Sequence, residues 1–232
     1  MPIFIIKLIA IFFMLVDHIK YALPSCYNEF TLYFGRIAFP LFAFCIVQGY
    51  IHTHDLKKYF KRLLIFGIVS EIPYLLFNSL PLLQRVEVNV MITFLLALIA
   101  LELYEFVGGR WKGFLCVITL ASCAEFLKTD YGSFGVFLVF SFYVFRDSKW
   151  KTLLLGTAVI SCKYLHRILF LRVGFTEYSI KNWICTLIPL FIILLYNGKR
   201  GPKLKWFFYI FYPLHLLVLY LISPYAVNLL NL

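Results

Sequence analysis

Apolar residues gather along this chain in long runs separated by short polar gaps. The runs cover residues 3–23, 30–51, 61–80, 88–107, 111–127, 132–146, 149–170, 183–197 and 205–224. Most approach the roughly 20 residues that an α-helix needs to cross a hydrocarbon core of about 30 Å. Between them lie turn-forming stretches such as "NSLPLL", "VGGR", "TDYG" and "NGKRGPK". The pattern predicts an all-α, polytopic membrane helical bundle of nine transmembrane helices, within a range of eight to ten. That range is set by "KYLHRILFLRVGF", where Lys163, His166, Arg167 and Arg172 decorate an apolar stretch and describe either the end of a span or an interfacial helix. With no internal repeat, low-complexity tract or soluble insertion, residues 1–232 read as a single integral-membrane domain.

Composition strengthens this picture: a chain that is 62% hydrophobic and 14% charged cannot hide its apolar surface in one water-soluble core. The net charge of +11 would suit a nucleic-acid partner in a soluble chain, but here the basic residues sit in the gaps, where they set orientation, so no nucleic acid is expected. Thirteen lie in one set of alternate gaps: Lys57, Lys58, Lys61, Arg62, Arg110, Lys112, Arg146, Lys149, Lys151, Lys199, Arg200, Lys203 and Lys205. Seven lie in the other: Lys20, Arg85, Lys128, Lys163, Arg167, Arg172 and Lys181. The excess predicts a cytoplasmic N-terminus. The first run has no basic region ahead of it and no clear cleavage site, so it is expected to remain as a helix. Six cysteines without C-x-x-C spacing argue against a disulfide framework or a metal site.

Candidate chemistry begins with "LIAIFFMLVDHIKYAL", where Asp17 and His18 interrupt an apolar run. Lys7 and His18 are eleven residues apart, about 20° past three helical turns, so they share one helix face about 16 Å apart. Folding the first two runs as a hairpin about Cys26 and Tyr27 brings Asp17 level with Arg36 and His18 level with Gly35. The expected Asp17–Arg36 pair would offset the cost of burying either charge. Further polar groups, Glu71, Asn89, Thr93, Glu125 and His215, fall within later runs. Lys61 and Arg62, in the densest basic gap, are placed to hold phosphates of a soluble donor. A proton-coupled transporter using Asp17, Glu71 and His215 as a relay is the alternative. A noncatalytic anchoring subunit would leave the polar line through the first span unexplained.

Together "KLIAIFFMLVDHI", "FGRIAFPLFAFCIVQGY", "HTHDLKKYFKRLLIFGIVSEIPY", "TDYG" and "FYIFYPLHLLVLYL" resemble the TraX family, named for the conjugation protein that acetylates the N-terminus of F-type pilin. The Lys7-x10-His18 spacing is similar to the basic-x10-His pattern of integral-membrane acyltransferases, with Lys where Arg is commoner. The resemblance implies an acetyltransferase in the bacterial cytoplasmic (inner) membrane, crossing it several times. Acetyl-CoA is the expected donor, and a peptide N-terminus such as pilin, or a glycan, the acceptor. His18 takes the catalytic position, as base or acyl carrier, with Lys7, Asp17, Arg36 and Glu71 beside it. Lys61, Arg62 and Lys7 face the cofactor, while His215, Asp130 and Tyr131 are assigned to the acceptor. Membrane lipid is the remaining expected partner.

Overall fold

Helix boundaries follow local capping more closely than hydropathy. The computed structural model describes residues 1–81, 83–84, 86–108, 110–170 and 175–225, so Arg85 and Arg172 lie outside the described residues. Within these, ten α-helical segments run α1 Ile3–Ala22, α2 Glu29–Phe34, α3 Ala38–Ile51, α4 Leu56–Asn78, α5 Val90–Phe106, α6 Arg110–Phe126, α7 Gly132–Val144, α8 Lys149–Phe170, α9 Glu177–Leu194 and α10 Lys205–Leu221. Segments α2 and α3 form one rod, Glu29–Ile51, giving nine rods among the described residues. Helix α4 starts five residues before its apolar run because the Asp55 side chain accepts the Lys58 N–H, 2.8 Å. Helix α9 starts six residues early because Thr176 caps Ser179 in the same way. Three rods, Glu29–Ile51, Lys149–Phe170 and Glu177–Leu194, are long and apolar enough to cross a membrane. The doubtful stretch around Lys163 is helical through Phe170, continuous with the rest of α8.

The second rod is broken by a 3₁₀ turn at Gly35–Ile37. Pro40 lacks the N–H that would bond the Arg36 carbonyl, so regular α-helix cannot run through this point. Segment α3 lies at the centre, touching α1, α5, α7 and α9, and α10 returns at the end of the chain to pack on α4 and α1. This return is what brings the two ends of the sequence together. The "NGKRGPK" loop supplies the carbonyls of Lys199 and Arg200 to the N–H groups of Ile3 and Phe4, at 2.9 and 3.2 Å. Two donors that the first turn of a helix leaves without partners are thereby satisfied.

Shorter helices leave irregular backbone inside the bundle. Helix α5 begins not at the far end of α4 but beside its middle, where Asn89 Nδ2 donates to the Gly67 carbonyl, 2.8 Å. Val88 bridges to Thr129 at the same level, and Asn89 and Thr129 are buried. Non-helical chain at such depth is tolerated because other protein covers it and satisfies its polar groups.

The exterior is apolar, with Ile68, Ile72, Leu154 and Phe191 each more than 60% exposed, as lipid-facing positions are. Trp111, Trp150 and Trp206 each follow a basic residue in the first turn of α6, α8 and α10, and all three are exposed on the face that holds the N-terminus. Interfacial tryptophans and basic residues coincide there, as at the headgroup level of a bilayer.

Candidate functional site

The site forms where α1 and α10 cross. His18 Nδ1 lies 2.8 Å from His215 Nε2, and the rings stack with centroids 5.0 Å apart. His215 Nδ1 in turn lies 2.9 Å from the carbonyl of Phe211, one turn back along α10. Phe77 of α4 closes one side, edge-on to His18 at 5.2 Å. His18 Nε2 has no hydrogen-bond partner among the described residues, and packing does not seal it off. His215, which the sequence assigns to the acceptor, is hydrogen-bonded to His18 itself.

Lys7 and His18 do share a face, and it is the face that meets α10: Lys7 lies 5.1 Å from the Phe208 ring while His18 meets His215. Below His18, a cavity of about 290 Å³ opens toward the N-terminal face. Lys7, Arg62, Arg200, Lys203 and Lys205 line it, with His52 near the mouth. Met14 and Tyr212 line its deepest part, and four residues of helix, about 6 Å, separate Met14 from His18. Arg62 stacks over Tyr59, 5.7 Å from the ring centroid, and its Nε is buried without a partner. Lys61, expected beside Arg62 at the donor, is exposed and does not line this cavity. Arg200, Lys203 and Lys205, which do line the cavity, were legible in the sequence only as an orientation signal.

The expected Asp17–Arg36 pair also needs correction. Asp17 Oδ1 is 2.5 Å from Lys20 Nζ, and Lys20, fully buried, also donates to the Thr31 carbonyl at 3.2 Å. Arg36 stands close enough to act on Asp17 through space but donates its Nε–H to Asn182 of α9, 3.2 Å. Gly35 faces Asp17 and not His18: a Cβ there would fall 2.5 Å from the Asp17 Cβ. The register is shifted by about one residue from that inferred, and the i,i+3 spacing of Asp17 and Lys20 was the overlooked signal.

A family model described as "TraX protein" matches residues 4–223. The chain belongs to the TraX family. It is 29% identical over 233 residues to "Probable fimbrial assembly protein FimC, serogroup H1" of Dichelobacter nodosus, covering 93% of each chain. No solved structure matches. This TraX-family chain is a membrane protein by its helices and its family.

The remaining candidates of this TraX-family chain surround the inner end of the cavity. Glu71 accepts from Asn89 through both the backbone N–H and the side-chain amide, so its carboxylate ties α4 to the start of α5 and does not reach His18. Glu71 and Asp130 nonetheless both act through space on Tyr212, in the cavity's deepest part. Tyr131 stacks on Phe39 with centroids 3.6 Å apart, under the Lys163 ammonium. No hydrogen bond among the described residues links Asp17, Glu71 and His215 to one another.

Proposed function

We propose that this protein is an integral-membrane acetyltransferase that carries an acetyl group from cytoplasmic acetyl-CoA to an amine or hydroxyl at the membrane or its outer face. The observation that carries the reading is one continuous arrangement: a cavity with five basic side chains on its walls and, about one helical turn beyond it, a histidine with one open ring nitrogen. The bundle of rods sits in the inner membrane with its N-terminus cytoplasmic, the shorter rods entering only part of its depth, and residues 1–232 act as one catalytic domain. Phosphates stay at the basic mouth because they cannot cheaply enter hydrocarbon, while the thinner thioester arm extends inward past Lys7. Positively charged donors suit phosphate, and Arg62, with a buried unpartnered Nε, is one of them on the cavity wall.

In this mechanism His18 takes a proton from the acceptor as its nitrogen or oxygen attacks the thioester carbonyl. The C–S bond breaks, and the proton passes from His18 to the departing thiolate. The family's link to pilin and the fimbrial-assembly name of the Dichelobacter nodosus relative support a peptide N-terminus of a surface-fibre subunit as acceptor, with a glycan hydroxyl as the other substrate class.

Mass spectrometry of acceptor peptides and glycans, incubated with the purified protein in lipid nanodiscs and isotope-labelled acetyl-CoA, tests the reading. His18→Ala is expected to lower transfer at least a hundredfold while the variant still inserts and melts normally. Retention of more than roughly a tenth of the activity would remove His18 from the chemistry.

A further inference from the structure

The geometry points to His215 as a positioning residue that fixes the tautomer of His18, so that Nε2 of His18 is the nitrogen that handles the proton. The inference rests on the acyl-transfer reading above for its purpose, but not for its geometry.

The argument starts at the far end of the chain of hydrogen bonds. A backbone carbonyl can only accept, so the 2.9 Å contact between His215 Nδ1 and the Phe211 carbonyl requires a proton on Nδ1. In the neutral ring Nε2 of His215 is then a bare acceptor. His18 Nδ1, 2.8 Å away, must supply the hydrogen between them. In a neutral imidazole a protonated Nδ1 leaves Nε2 unprotonated, and that atom of His18 is the one without a partner among the described residues. The tautomer of the reacting ring is thus set by a carbonyl two hydrogen bonds away.

The partner is well held. His215 is 6% exposed, its ring lies nearly parallel to that of Phe211 with centroids 5.0 Å apart, and Tyr212 packs against it from the next position. A carboxylate often orients a catalytic imidazole, and Asp17 is adjacent in sequence, but its Oδ1 is engaged by Lys20. Orientation therefore falls to α10. When His18 receives the acceptor's proton at Nε2, its Nδ1–H becomes a charged donor to His215, and that hydrogen bond strengthens as the transition state is approached. The benefit should appear in kcat and not in donor binding, because His215 lies outside the cavity lining.

The test pairs kinetics with ¹⁵N NMR of the full-length protein, labelled at histidine and held in micelles, with His18 resonances assigned by their loss in His18→Gln. Wild type should show His18 protonated at Nδ1 and bare at Nε2. His215→Leu should release this preference and lower kcat roughly ten- to a hundredfold, with KM for acetyl-CoA unchanged. His215→Gln should restore most of the rate, since its terminal oxygen reaches the place of Nε2, whereas the shorter His215→Asn should not. A wild-type His18 protonated at Nε2, or a His215→Leu enzyme with unchanged kcat, overturns the assignment of His215 even if acetyl transfer is present. A locked tautomer in a protein that transfers no acetyl group supports the pairing and overturns the acyl-transfer reading alone.

Discussion

Replacing Asp17 by Asn removes the carboxylate that sits 2.5 Å from an ammonium with no exposed surface. Truncating one partner of a buried ion pair costs about 3–5 kcal/mol, because the remaining charge keeps its desolvation penalty. Here the lower end applies, about 3 kcal/mol: the Thr31 carbonyl still accepts from Lys20, and Asp17 keeps 18% of its side-chain surface. Lys20→Met, which retains most of the volume but loses the charge, should cost a similar amount. The double variant Asp17→Asn/Lys20→Met should recover about 1–3 kcal/mol of the summed losses, as neighbouring polar residues do. Thermal or denaturant unfolding in micelles, followed by circular dichroism, gives all four corners of the cycle. A parallel cycle on Asp17 and Arg36 should yield less coupling, since those two side chains share no hydrogen bond and Arg36 is held by Asn182. Additivity within about 0.5 kcal/mol for Asp17 and Lys20, with stronger coupling to Arg36, would refute this helix register in favour of the one inferred from the hairpin.

Neutralising Arg62 together with Arg200 and Lys203 should weaken acetyl-CoA binding and flatten its salt dependence, while Lys61→Ala leaves both unchanged; calorimetric titrations across salt concentrations decide the matter. Gly201→Ala should destabilise the loop by about 1–3 kcal/mol, measured by unfolding, because φ is +75° and the new Cβ would fall 2.8 Å from the Phe4 Cβ. Asn89→Ala should cost about 2–4 kcal/mol, since it removes the cap on the Met91 N–H and the side-chain amide that donates to the Gly67 carbonyl and Glu71, leaving Glu71 only the backbone N–H of residue 89; unchanged melting would show the α4–α5 joint to be dispensable.

What the sequence determined by itself are the properties that one helix fixes alone. Apolar length located the rods, the count of Lys and Arg in alternate gaps, thirteen against seven, set the expected orientation, and the 100° step per residue put Lys7 and His18 on one stripe. Capping chemistry, equally local, explains why α4 and α9 start before their hydropathy does. Relations between helices were settled only by tertiary packing. Gly35 admits Asp17 because it has no side chain, and a one-residue shift of that contact is enough to give the carboxylate to Lys20 and leave Arg36 to Asn182. The return of α10 to α1 places His215 on His18 across 197 residues of chain, and brings Arg200, Lys203 and Lys205 to a cavity that begins at Lys7. Periodicity says which way a side chain points from its own axis; which neighbour it meets depends on where the packed core lets the next axis lie.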